Sequence, residues 1–263
     1  MSVNYAQESG IDSVAAAVIF CLAYVPLIIF HGFKAFQNRT YVLIILTFFC
    51  TVRMIAFAMR GALAGGGSAA YNENLLIGEQ VIYSIGFFGL LYSAYQLVVD
   101  RQKMAGVKTS YGVLGQVTSN LQLIRIAMSV AVALGIAGAC DSASASASKM
   151  NLGKHLRTAS DVIFLLLTIL LVVQTALTFR DEKQMSEKTS HYGHSIGQSH
   201  GMIFLSAIAL LLLVKMLFMT ATVGKSAQNN EALFYPFSAT TELIAVMLFA
   251  APGLIPSQSE LPS

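Results

Sequence analysis

The sequence predicts an all-α polytopic membrane protein, a bundle of seven transmembrane helices. Three observations predict it. Of 263 residues, 56% are hydrophobic and only 11% charged, where a soluble domain carries about 25% charged residues. Seven apolar stretches reach the roughly 20 residues that a spanning helix needs. None of them alternates as a barrel strand does.

The first stretch, 13–33, is preceded by Glu8 and Asp12 with no Lys or Arg. That is the opposite of a basic signal-peptide n-region, so it reads as a retained span. The second, 41–59, carries Arg53. The third, 75–99, carries Glu79 and runs into Asp100-Arg101. The fourth, 121–139, carries Arg125. A Ser/Ala-rich tract, Asp141–Lys149, follows and reads as a flexible surface loop. The fifth, 159–179, carries Asp161; the sixth, 201–223, Lys215; the seventh, 232–255, Glu242. Short polar connections make consecutive helices antiparallel neighbours. No soluble domain or internal repeat interrupts them, so residues 1–263 form one transmembrane domain.

Several function classes are excluded. Net charge is only +3 and no basic patch with interleaved aromatics exists, so nucleic acid is not an expected partner. Cys21, Cys50 and Cys140 are odd in number and scattered, which implies neither a disulfide framework nor a CxxC metal site. His191, His194 and His200 have a loose ligand spacing without supporting carboxylates or cysteines, and no metal is expected. No Gly-rich nucleotide loop is present, and no cofactor is expected.

Loop Lys and Arg residues set the orientation. One side collects Lys34, Arg39, Arg101, Lys103, Lys108, Arg180, Lys183 and Lys188; the other collects Arg60, Lys149, Lys154, Arg157 and Lys225. The bias places the N-terminus outside or luminal and the C-terminus cytosolic, with the endoplasmic reticulum the expected membrane. The sequon Asn38-Arg39-Thr40 then lies on the cytosolic side, close to the bilayer, and is expected to be unmodified.

Arg53, Glu79, Arg125, Asp161, Lys215 and Glu242 all fall inside apolar runs. A charge there costs roughly 2.5–3.5 kcal/mol on insertion scales, so such groups face one another or a polar cavity. At 1.5 Å per residue, Arg53 lies about 18 Å along the second helix, Lys215 about 21 Å along the sixth and Glu242 about 15 Å along the seventh. Glu79 and Asp161 lie near the same end. Five of the six therefore share the half of the bundle that holds the N-terminus, with Arg60 at the rim and Arg125 toward the other surface. Arg60, Asp161 and Arg125 have a plainer reading as snorkelling groups, and Glu79 as a helix-dipole partner. Arg53, Lys215 and Glu242 are too deep for that; their plain reading is a structural ion-pair network. Helical spacing puts Arg53, Phe57 and Arg60 on one face, Glu79 with Tyr83 on another, and Tyr235, Ser238 and Glu242 on a third. Charges are thus interleaved with aromatics, and a polar-floored, aromatic-walled chamber is expected.

Three function classes meet this pattern. A rhodopsin fails, because its lysine belongs on the seventh helix, where this chain has none. A seven-helix receptor fits the topology and Asp100-Arg101, but the seventh helix lacks Asn-Pro-x-x-Tyr. An enzyme or lipid handler fits the chamber: a dry acid stays protonated, protonates an epoxide or olefin, and aromatic faces stabilise the carbocation.

The segments RTYVLIILTFFCTVRMIAFAMR (39–60), NLLIGEQVIYSIGFFGLLYSAYQLVVDR (74–101) and QNNEALFYPFSATTELIAVMLFAAPGLIP (228–256) resemble fungal seven-helix proteins labelled family C-like receptors. In size, helix number and intramembrane acids the chain is also similar to the small membrane-bound terpene cyclases of fungal meroterpenoid clusters, the ascofuranone-cyclase type. Paspaline-type cyclases carry an acid late in the second helix, where this chain has Arg53 and Met54, which argues against that branch. A more distant likeness is to fungal lipid-translocating exporters. The expectation taken forward is a membrane-embedded cyclase of a prenylated substrate. Glu79, Asp161 or Glu242 donates the proton, Arg53, Lys215, Tyr83 and Tyr235 bind substrate, and non-redox cyclisation needs no cofactor. Its partners are a lipophilic prenylated small molecule and membrane lipids, with a G protein only under the receptor alternative.

Overall fold

The computed structural model describes residues 4–104, 120–142, 146–186 and 200–257. Seven long helices run through them: α1 (Val14–Gln37), α2 (Tyr41–Ala64), α3 (Glu73–Met104), α4 (Leu121–Ser142), α5 (Ala147–Ser186), α6 (Gly201–Thr222) and α7 (Glu231–Phe249). Each is long and apolar enough to cross a membrane, and no strand occurs among the described residues. The protein is an all-α bundle and a multi-pass membrane protein. Its outward faces carry exposed Ile19, Leu22, Phe48, Leu210 and Leu217, which suits contact with acyl chains.

Local chemistry sets the helix ends. Ser13 caps α1 by accepting from the Ala16 N–H at 3.2 Å, which satisfies one of the orphan donors of a helix start. The Glu231 carboxylate accepts the N–H groups of Asp12 and Ser13 at 3.0 and 2.9 Å. One acid at the start of α7 thereby ties the start of α1 to it. A short helical turn, Tyr5–Glu8, precedes α1 and buries Ala6 with Ile11 against Leu63 and Ala70. Its Tyr5 phenol donates to Glu73 at 3.4 Å, and the charge of that carboxylate raises the Tyr5 pKa.

Several expected boundaries move. Helix α5 starts at Ala147 rather than 159, because Lys149, Lys154 and Arg157 are good helix formers that a hydropathy criterion passes over. The Ser/Ala tract read as a loop therefore supplies the end of α4 and the start of α5 in its described residues. Helix α7 ends at Phe249 rather than 255, where turns at Ala250 and Ala251 lead into Pro252. Inside α7, Tyr235–Ala239 is wound as a π-turn, in which the Thr240 N–H reaches the Tyr235 carbonyl. Pro236 has no N–H to give the α-helical ladder, and the wider turn absorbs the defect.

Consecutive helices pack side by side: α1 on α2, α2 on α3, α4 on α5, α5 on α6 and α6 on α7. Glycines bring α4 and α5 together. A Cβ on Gly138 would stand 2.8 Å from both the Gly153 carbonyl oxygen and the Arg157 nitrogen, so only a residue without a side chain permits that approach. Toward the end opposite the N-terminus, α3 and α5 are joined by polar contacts. Gln102 donates to Thr178 at 2.6 Å, Tyr95 to the Leu167 carbonyl at 2.5 Å, and Arg101 pairs with Glu182 at 3.0 Å.

Candidate functional site

The intramembrane charges converge in the N-terminal half of the bundle, as their depths imply. Arg53 on α2 and Glu242 on α7 are both completely buried, and their side chains meet at 2.5 Å. Lys215 on α6 pairs with the same Glu242 oxygen, Oε1. One carboxylate therefore holds two cations and joins three helices. Arg53 makes two more contacts: its Nη1 donates to the Tyr83 carbonyl at 2.6 Å, and its guanidinium lies 3.9 Å from the Tyr83 ring centre. Gly86, one turn beyond Tyr83, leaves the space that the guanidinium fills. The Tyr83 hydroxyl meets Ser238 at 2.8 Å, beside the π-turn of α7.

A second pair lies nearer the end. Arg60 reaches Glu79 at 3.3 Å, donates to the Asn229 carbonyl at 3.2 Å and stacks 4.0 Å from the Phe234 ring centre. Arg60 is buried, so it does not snorkel. The exposed Arg125 stands apart from the cluster, as its depth predicts.

Between α3, α4, α5, α6 and the start of α7 lies a cavity of about 740 Å³, counting its open mouth. Arg60, Glu79, Arg157, Asp161 and Lys215 supply its charges; Tyr83, Phe87, Phe164 and Phe234 supply aromatic walls; Met216 and Met219 line the α6 side. The Lys215 ammonium lies 4.5 Å from the Phe87 ring centre and 4.8 Å from that of Tyr83.

The expected site residues thus divide. Glu79, Asp161, Lys215 and Tyr83 line the cavity. Arg53, Glu242 and Tyr235 do not. Arg53 and Glu242 lie behind Lys215 and Tyr83 and hold them in place. Tyr235 joins a stack with Phe20 and Phe57 between α1, α2 and α7, at 5.2 and 6.5 Å. Among the described residues Asp161 has no ion pair; Arg157, one turn before it on the same helix, and Lys215 are its electrostatic neighbours.

Among the cavity residues that the sequence reading did not place there are Arg157 and Gln228. Arg157 was counted among loop charges, yet it lies within α5, lines the cavity and donates to Gln228 at 3.4 Å. The signal was its i, i+4 spacing to Asp161. Gln228 sits in the α6–α7 connection, where nothing in the sequence distinguishes it. His191 and His194 lie outside the described residues, as do Lys108 and Lys188, while His200 precedes α6.

The comparison that decides kinship covers residues 7–258. The chain belongs to the DUF7702 family, a domain of unknown function. No curated protein and no solved structure matches it. In this DUF7702 chain the matched region takes in all seven helices, both charge clusters and the cavity between them.

Proposed function

We propose that this DUF7702 protein is a membrane-embedded cyclase of a prenylated substrate, working by acid-initiated, non-redox cyclisation of the kind that meroterpenoid routes employ. One observation carries the reading. Asp161 is a cavity-lining acid that no cation among the described residues holds by a direct ion pair, and it faces a chamber walled by aromatic rings. Glu242 is a poorer donor, because two cations share it and it does not line the cavity. Glu79 is held by Arg60.

The chemistry follows from these positions. Asp161 gives its proton to the oxygen of a terminal epoxide; the C–O bond opens and leaves a tertiary carbocation. The neighbouring alkene attacks, closing the ring and moving the cation along the chain. Faces of Phe164, Tyr83 and Phe87 stabilise it. Loss of a proton from the final cation to the Asp161 carboxylate restores the acid, so the product is an isomer of the substrate. Lys215 orients a substrate oxygen. Arg53 and Glu242 act through Lys215 and Tyr83 as positioning residues.

The test is conversion of an epoxidised prenyl-phenol by microsomes bearing the wild type, Asp161→Asn or Glu79→Gln. The Asp161 variant is expected to lose at least about 100-fold in rate, the usual scale of a general acid. Undiminished turnover in both variants rejects their roles as acids.

A second reading draws on the far end of the bundle. Arg101 of the Asp100-Arg101 pair is bound to Glu182, a tie between α3 and α5 that suits the conformational latch of a seven-helix receptor. Ligand-dependent G-protein coupling without turnover would favour it. Release of a long-chain lipid from loaded vesicles would favour an exporter instead.

A further inference from the structure

The charges around the cavity do not cancel, and the excess falls on one residue. Arg60 is matched by Glu79 at 3.3 Å. Before substrate binds, with Asp161 ionised, that carboxylate offsets Arg157, its electrostatic neighbour one turn away on α5. Arg53 and Lys215 share the single carboxylate of Glu242. Arginine keeps its proton under all physiological conditions, so one positive charge is left over in this trio. Arg53 is sealed behind the cavity wall, whereas Lys215 lines it. Its ammonium lies against the faces of Phe87 and Tyr83, and Asp161, an electrostatic neighbour, makes no ion pair with it. An unmatched charge in a low-dielectric interior is costly, and a bound anion removes that cost.

We infer that the cavity takes an amphiphile with a singly charged anionic headgroup, a carboxylate or phenolate on a prenyl or acyl tail, and that Lys215 receives the headgroup. Phe164, Met216 and Met219 offer the tail an apolar wall. The charge balance also sets an upper limit. A prenyl diphosphate brings two or three negative charges, more than one surplus cation matches, beside the carboxylates of Glu79 and Asp161. The site therefore selects against diphosphates and against amines. The inference deepens the cyclase reading by naming its substrate's headgroup, and it rests on that reading only for what happens after binding.

The experiment uses four probes with one tail: farnesoic acid, farnesol, farnesylamine and farnesyl diphosphate, each titrated against the full-length protein in nanodiscs. Comparing variants with the same probe cancels partition into the bilayer. Farnesoic acid is expected to bind at least about tenfold more tightly than farnesol, a difference of about 1.4 kcal/mol, with the diphosphate and the amine weaker than the acid. Lys215→Met is expected to abolish the preference for the acid over the alcohol. Lys215→Arg, which keeps the charge, should retain the preference and shows that the site still folds. Equal binding of acid and alcohol overturns the inference, as does tighter binding of the diphosphate, a preference that survives Lys215→Met, or no binding by any probe. The two readings fail separately. Preference for the acid with no cyclisation sinks the cyclase alone; cyclisation of neutral substrates with no headgroup preference sinks this inference alone.

Discussion

The Arg53 guanidinium passes over Gly86 so closely that a Cβ at that glycine would stand 2.9 Å from Nη1 and 3.1 Å from Cζ. A free arginine would swing aside. This one is fixed on one side by the Tyr83 carbonyl at 2.6 Å and on the other by Glu242 at 2.5 Å. Gly86→Ala therefore sets steric overpacking, about 1–3 kcal/mol, against the better helix propensity of alanine, about 1 kcal/mol. The net result expected is a lower thermal midpoint in detergent, by several degrees for a chain of this size. The same substitution in an Arg53→Met background meets no guanidinium, and there alanine should be neutral or stabilising. An equal effect in both backgrounds would remove Arg53 as the reason for the glycine.

Much of this arrangement is legible in the sequence. Lys215 and Glu242 stand out because ionisable groups are rare in apolar runs, and rise per residue fixes their depth. Depth is only one coordinate, though. Which acid meets which cation depends on the rotation of each helix and on which helices are neighbours, and neither follows from hydropathy. So the convergence of Arg53, Lys215 and Glu242 was readable, while the sharing of one carboxylate by two cations was not. Asp161 shared the expected depth but turned toward the cavity instead of joining an ion pair. Arg157 was missed for a different reason. The polar first turns of α5 are helical without being apolar, so a search for apolar stretches began the helix after it. The π-turn at Tyr235–Ala239 has a partial signal in Pro236, which marks a broken ladder without saying how the helix repairs it.

The burial of Arg60 and the half-buried position of Arg157 bear on orientation. Both were counted as loop charges on the N-terminal side, and both line the cavity instead. Removing them leaves Lys149, Lys154 and Lys225 on that side, against a larger set on the other, so the positive-inside bias grows. That bias supports a cytosolic face for the α1–α2 turn, where Asn38 follows α1 and Thr40 precedes α2. The expected outcome is that Asn38 carries no glycan in a eukaryotic host: deglycosylation leaves the mobility of the protein unchanged, and so does Asn38→Gln. A mobility shift that Asn38→Gln abolishes would invert the topology and put the cavity's end of the bundle on the cytosolic side.

Sharing one carboxylate between two cations makes the trio respond unequally to its own substitutions. Lys215→Met removes the surplus charge and leaves Arg53 paired with Glu242, a neutral couple. Its cost is expected to be small in the ligand-free protein, and a gain in stability is compatible with the charge balance. Glu242→Gln strands Arg53 and Lys215 against each other in the interior. Breaking a buried pair in this way costs about 3–5 kcal/mol, only part of which Lys215 recovers by releasing its proton. The double variant Lys215→Met with Glu242→Gln still strands Arg53, but it removes the repulsion between the two cations. It should therefore be more stable than Glu242→Gln alone, a negative departure from additivity that a double-mutant cycle reads directly. Thermal midpoints of the four proteins in one detergent decide the matter. If Lys215→Met lowers the midpoint as far as Glu242→Gln does, the lysine is a structural partner that Glu242 needs rather than a surplus charge held ready for an anion.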